Sequence, residues 1–199
     1  MLDVDGVIVR PREGRHWSAN LEKDLGINAA TLQNYFFEPH WEQIVTGRAD
    51  LHHCLGEVLR CIAPAIRPEQ LVSYWFEHDC VIDQNLLRDL AMIRSPTLPV
   101  YLASNQEHAR VRYIMDVVGL CSHVDGCYYS AALGHRKPHP AIFEAIQSHI
   151  GLSSADLLLV DDSRDNVSAA ISAGWSAEHW TSTKGLMDIV APFIRHDRP

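Results

Sequence analysis

Four short segments of the chain gather the residue types that handle phosphate and divalent metal. The first is Asp3-Val4-Asp5-Gly6-Val7. Two carboxylates two residues apart serve one centre if the chain turns between them. Gly6 permits that turn and a close backbone approach to a ligand. The same pattern also occurs in ordinary surface turns. The second segment is LLLVDDSRDN, residues 157–166, where an apolar run delivers Asp161 and Asp162 side by side. Adjacent carboxylates repel, and burial makes their charge costlier. Mg²⁺ relieves both problems, because it takes oxygen ligands and needs few carboxylates beside its waters. The alternative reading is an acidic cap on the following helix. The third segment, YLASN, ends an apolar run in Ser104 and Asn105. A hydroxyl and the amides of a helix start suit phosphate oxygens, although a plain helix cap explains the pair equally. The fourth is GHRKPHP, residues 134–140, whose prolines fix where Lys137 points. A lysine among carboxylates offsets their charge and binds a phosphoryl oxygen. Its alternative is a solvated surface lysine.

These residues need a scaffold that brings distant strand ends together. Residues 1–5 read as the end of a strand that turns at Gly6. Leu98–Ala103 and Leu157–Val160 read as buried strands, with shorter ones at Cys127–Tyr129 and Ala177–Trp180. Helical patterns fill the gaps at Gln106–Val118, Pro140–Ile150, Asn166–Ala173 and Lys184–Ile194. Gly119, Gly151 and Gly174 stand as their stops. Short apolar strands alternating with helices indicate an α/β fold with a parallel sheet covered on both faces. Between about Trp17 and Leu90 the texture is helical and strand signals are scarce. The expected organisation is therefore discontinuous: residues 1–11 and 86–199 form a Rossmann-like core, and residues 12–85 form an inserted all-helical domain.

The order of the four segments, each near the end of an α/β unit, resembles that of the haloacid dehalogenase superfamily of phosphohydrolases. The resemblance covers nearly the whole chain. The stretches SAALGHRKPHPAIF, residues 130–143, and VDDSRDNVSAAISAG, residues 160–174, look most like one branch. That branch holds glucose-1-phosphate phosphatase-like enzymes and the N-terminal domain of soluble epoxide hydrolase. The helical insertion sits where that family carries its C1 cap. The resemblance implies a Mg²⁺-dependent phosphomonoester hydrolase acting on a small phosphorylated metabolite. Asp3 would be the nucleophile that forms an aspartyl-phosphate, and Asp5 the general acid and base. Mg²⁺ would be held by Asp3, the Asp5 carbonyl and Asp162, with Asp161 beside it or joined through water. Ser104, the Asn105 amide and Lys137 would bind phosphate oxygens. Val7 stands where many members of the family have Thr.

Two alternatives share this fold: a sugar phosphomutase and a catalytically degenerate binding protein. A dehalogenase is disfavoured, because Asp5 and the Asp161-Asp162 pair suit a metal that dehalogenation does not need. A response-regulator receiver carries its acidic pair at the first strand and lacks a long helical insertion. Within the insertion, the aromatic residues Trp17, Tyr35, Phe36, Phe37, Trp41, Tyr74, Trp75 and Phe76 read as core in preference to a ligand platform. Arg48, after Gly47, is the insertion's first candidate for substrate contact, against the simpler reading of an exposed arginine.

Composition narrows the surroundings. The 199 residues carry a formal net charge of −8, which argues against nucleic-acid or anionic-membrane partners. No apolar run approaches the ~20 residues needed to span a bilayer. The five cysteines lack CxxC spacing, so reduced thiols and a cytoplasmic location are expected, for a monomer or homodimer. Only Met1 and Leu2 precede Asp3, whereas strands commonly run ~5 residues. The expectation is that Met1 begins inside the first strand and that an extended chain is more stable.

Overall fold

The computed structural model describes residues 1–194. Residues 195–199, the end of the expected core, lie outside that description. A two-stranded antiparallel neck joins the chain's two organised regions: β1 (Val9–Arg10) pairs with β2 (Val81–Ile82), Val9 opposite Ile82. β2 falls in the stretch where strand signals are scarce in the sequence. Between these strands lie α1 (Leu21–Leu25), α2 (Ala29–Leu32), α3 (Glu38–Val45), α4 (Leu51–Ile62) and α5 (Pro68–His78). Asp50 caps α4 by accepting from His53 N at 2.8 Å, and Leu51, Cys54, Leu55 and Leu59 form its buried stripe. Pro68 opens α5 in the first turn, where its missing N–H costs nothing. The five helices close over one apolar cluster that includes Leu21, Phe36, Leu55, Leu71 and Trp75. Seven of the eight aromatic residues singled out in this region belong to that cluster or pack against it. Tyr35 is the exception, at 61% exposed.

After the neck come α6 (Gln84–Ile93), β3 (Tyr101–Ser104), α7 (His108–Arg112), β4 (Gly126–Tyr129) and α8 (Ser130–Leu133). They are followed by α9 (Pro140–Ile150), β5 (Leu158–Asp161), α10 (Arg164–Ser172), β6 (Ser176–His179) and α11 (Leu186–Ile194). β3 pairs with β4 and β5 with β6, all in parallel. Residues 1–3 run between the two pairs, and Leu2 bridges Leu102 on one side and Val160 on the other. The sheet order is therefore β4, β3, residues 1–3, β5, β6. Side chains alternate across it. Leu2, Leu102 and Val160 pack toward α6 and α11, with Leu90, Ile93 and Ile189. Ala103 and Leu159 pack toward α9 and α10, with Ile142, Phe143 and Ala170.

Several expected boundaries move, among them the α10 helix expected at 166–173, which runs Arg164–Ser172. The strand expected from Leu98 begins at Tyr101, because Ser95 and Leu98 close a bridge of their own before it. The helix expected from Gln106 begins at His108, because the Glu107 carboxylate caps its free amides at Ala109 and Arg110. The last helix starts at Leu186 and not at Lys184. The short first strand is fully laddered. Met1 N donates to Leu158 O at 2.8 Å, Val160 N to Met1 O at 3.0 Å, and Asp3 N to Val160 O at 2.9 Å. On the other side Leu2 N donates to Tyr101 O at 2.9 Å and Ala103 N to Leu2 O at 2.8 Å. The Met1 ammonium enters the interior with its pKa lowered to about 5, first by burial and then by the charge of Lys137.

Candidate active site

Asp3 is the last residue of the central segment, and the chain turns at once behind it. Val7, Ile8 and Val9 all donate to Val4 O, and Gly6 N donates to Val9 O at 2.9 Å. Val4, Val7, Ile8 and Val9 are buried, so the turn is nailed into the core by its apolar side chains. This holds Asp3 rigidly at the carboxyl end of the sheet, where open α/β folds bind ligands. β5 ends beside it and delivers Asp161. One carboxylate oxygen each of Asp3, Asp161 and Asp162 lies within 4.8 Å of the others.

Lys137 holds this cluster together. It is 1% exposed, which removes the surface-lysine alternative. Its ammonium reaches Asp161 Oδ2 at 2.5 Å, Ala103 O at 2.6 Å and Asp3 Oδ1 at 3.1 Å. Three donors meet three acceptors, so the buried cation is fully satisfied. Burial works against its charge, but Asp3 and Asp161 outweigh burial and its pKa is raised. Asp3 is raised to about 6: burial outweighs the opposing Lys137 charge, and Asp161 adds repulsion. Asp162 is raised by burial and then by Asp161.

The two acidic neighbours differ in what they leave free. Asp161 is fully engaged, since Oδ1 also accepts from Ser163 N and Asn166 Nδ2, each at 2.9 Å. The cap of α10 is Ser163 and not an aspartate. Asp162 lies over Gly6: a Cβ on Gly6 would sit 2.0 Å from Asp162 Oδ2. Gly6 also has φ +75°, a left-handed conformation that glycine alone adopts freely. Gly6→Ala should cost about 1–2 kcal/mol through φ alone and push the Asp162 carboxylate aside. Thermal melts and a Mg²⁺ titration would check it. An alanine variant with parental stability and metal requirement would show that this close approach is immaterial.

Ser104 is buried at the end of β3, and its hydroxyl accepts from Gln106 Nε2 at 3.4 Å. Asn105 faces elsewhere: Nδ2 donates to Lys137 O at 2.9 Å and Oδ1 accepts from Lys137 N at 2.8 Å. Neither residue caps α7, because Glu107 does. Asn105 thus clamps the backbone of the loop that supplies Lys137. Asp5 stands apart from the carboxylate cluster. Its Oδ2 accepts from Gln106 Nε2 at 2.5 Å and its Oδ1 from Arg110 at 3.3 Å. Gln106 and Arg110 drew no attention in the sequence. Gln106 directly follows Ser104-Asn105, which is the one signal that could have found it. Arg48 keeps an exposed side chain and lies 3.8 Å from Glu42. It lines a cavity of about 590 Å³ between α3 and the 134–139 loop, beside Lys137 and not among the carboxylates. Across that cavity Arg136 pairs with Glu42 at 2.8 Å.

Residues 1–174 match the family model of haloacid dehalogenase-like hydrolases. The chain belongs to that family. As a haloacid dehalogenase-like hydrolase it is 27% identical over 177 residues to a sesquiterpene phosphatase of Aspergillus oryzae, covering 81% of this chain and 79% of the relative. A shorter stretch of 90 residues is 30% identical to a phosphoglycolate phosphatase of Yersinia pseudotuberculosis, covering 43% of this chain and 37% of that one. Among solved structures, a family enzyme from Bacteroides thetaiotaomicron in complex with magnesium and inorganic phosphate superposes with a TM-score of 0.78. It is 17% identical and covers 94% of this hydrolase and 96% of the other chain. The fold is thus the haloacid dehalogenase-like α/β fold with a parallel sheet. Among the described residues, no helix is long and apolar enough to cross a membrane, and the five cysteines are unpaired.

Proposed function

We propose that this hydrolase is a Mg²⁺-dependent phosphatase of small phosphorylated metabolites that works through an Asp3 phosphoenzyme. The observation that carries the reading is the cluster of Asp3, Asp161 and Asp162 around a fully buried Lys137. The residues suit a magnesium ion. Asp162 has a carboxylate cradled against Gly6, where a Cβ would fill the space, and it lies with oxygens of Asp3 and Asp161 within 4.8 Å, a set of oxygen donors that suits the ion. Asp3, Asp162 and the Asp5 carbonyl would hold the ion. Asp161, whose oxygens are committed to Lys137, Ser163 and Asn166, would stand behind them and orient Lys137. Bound there, Mg²⁺ supplies charge screening between the attacking carboxylate and the phosphate.

The chain's own groups then divide the work. The Asp3 carboxylate attacks phosphorus, and the bond to the leaving oxygen breaks. Asp5 gives that oxygen a proton and later takes one from the water that opens the phosphoenzyme. Lys137 and the Ser104 hydroxyl stabilise the equatorial oxygens, where the transition-state charge resides. Asn105 acts in this account by fixing the Lys137 loop. Residues 12–85 would form the cap that selects the substrate and excludes bulk water. The relatives' phosphatase names support the reaction class, and the matched neighbour's bound magnesium and phosphate support the cofactor.

A phosphate-release assay over small phosphoesters tests the proposal. EDTA should stop release and Mg²⁺ should restore it. The pH dependence follows from Asp3, whose folded, metal-free pKa is raised from 3.8 to about 6. Below that value the folded site holds a proton that the ion must displace. Apparent Mg²⁺ affinity should therefore fall about tenfold per pH unit below 6 and level off above it. Full activity after rigorous chelation, or a metal affinity flat from pH 5 to 7, would count against this site. Transfer of phosphate to a sugar without net release would point to a mutase.

A further inference from the structure

Arg110 is a cation with no role in the chemistry described so far, and its placement is unusual. It lies on α7 and is 3% exposed. Its guanidinium carbon sits 5.2 Å from the centre of the Phe76 ring, on the last helix of the helical region. One nitrogen, Nη2, donates to Asp79 O at 2.6 Å and to Asp5 Oδ1 at 3.3 Å. Asp79 Oδ2 is 3.6 Å away. The other nitrogen, Nη1, is buried without a hydrogen-bond partner. Burying a guanidinium with unpaired donors costs stability. A hydrophobic side chain would pack against Phe76 without that cost, so packing does not account for an arginine here.

What the arginine does reach is Asp5. The Asp5 carboxylate is half exposed, at 55%, and without partners it would rotate freely. It is held at both oxygens, by Gln106 on Oδ2 and by Arg110 on Oδ1. Arg110 is itself fixed by the Asp79 carbonyl, in the segment that leads from α5 to the neck. We infer that Arg110 is a positioning residue that aims the Asp5 carboxylate at the leaving oxygen, and that it ties this aim to the linker of the helical region. The inference rests on the proposed role of Asp5 as general acid and base. The step it assists is balanced: the phosphorus–oxygen bond to the leaving group breaks, its electron pair stays on that oxygen, and the Asp5 proton joins it. In the second half the proton returns to Asp5 from the attacking water, whose oxygen replaces Asp3 on phosphorus.

The test uses leaving groups of different basicity on the Mg²⁺-loaded enzyme. An alkyl phosphate needs a proton on its leaving oxygen, whereas p-nitrophenyl phosphate releases a stable anion without one. In single turnovers, Arg110→Met should slow phosphoryl transfer from the alkyl ester about 100-fold and from the nitrophenyl ester no more than about threefold. The nitrophenyl ester should also give a burst near one equivalent per site, because hydrolysis of the phosphoenzyme needs Asp5 as base. The ratio of the two rates is read on one preparation, so a misfolded fraction cancels. Arg110→Lys keeps the charge but loses the planar fork, and its ratio should fall between. Equal slowing of both esters, or slowing of neither, would overturn the inference. The underlying reading fails separately: in that case Asp5→Asn itself shows no selective loss with the alkyl ester.

Discussion

Asp3→Asn should abolish turnover while leaving the fold intact. An amide has nearly the shape of a carboxylate and no useful nucleophilicity, so the loss should be at least about 10⁴-fold. The amide oxygen can still accept from Val4 N and from Lys137, which now meet Asp3 Oδ1 at 2.7 and 3.1 Å. Stability should not suffer either. The folded chain raises the pKa of Asp3 to about 6, so keeping it ionised above that pH opposes folding in the absence of metal. A neutral amide escapes that cost and should melt no lower than the parent at pH 7. The measurement is phosphate release alongside a circular dichroism melt. A folded variant with a near-parental rate would remove Asp3 as the nucleophile.

Lys137→Met should be the most destabilising single change at the site. The lysine is buried between Asp3, 8% exposed, and Asp161, 0% exposed. Methionine fills similar space but leaves two buried carboxylates without their cation. Breaking a buried ion pair from one side costs about 3–5 kcal/mol, which for a chain this size lowers the melting temperature by about 10 °C. The pH dependence has a definite sign. Without Lys137 the folded pKa of Asp3, already raised by burial, rises further above its unfolded value. The deficit should therefore be smallest towards pH 4, where folded Asp3 holds its proton and needs no cation, and grow as pH rises through about 6 towards 7. Melts from pH 4 to 8 would check it. A uniform deficit across that range would mean that lost packing, and not unpaired charge, is the cause. Turnover should fall as well, since an equatorial oxygen loses its cation.

The parts of this molecule that were legible in the sequence are those whose signal is local. The apolar runs before Ser104 and Asp161 mark strands because two buried faces demand continuous hydrophobicity. Gly6 marks a turn, and the structure adds why it must be glycine, with Asp162 lying over it. Lys137 stood out for its flanking prolines. The pairings that complete the site were not legible, because they link positions with no shared spacing. Arg110 meets Asp5 across 105 positions, and nothing in α7 marks one arginine among its neighbours as buried. The sequence offers the Asn105 amide to phosphate, and the structure adds that its side chain holds the Lys137 backbone. The ladder at residues 1–3 was likewise not legible, because its bonds run to strands about 100 and 160 positions away.

The central claim is that phosphate passes through the Asp3 carboxylate. Acid quenching during turnover, followed by borohydride reduction, converts an aspartyl-phosphate to homoserine and leaves free aspartate unchanged. Peptide mass spectrometry of the Mg²⁺-loaded enzyme should then find homoserine at position 3 when substrate is present and none when it is absent. Turnover with position 3 unmodified, or homoserine at Asp5, Asp161 or Asp162 in its place, would contradict the account.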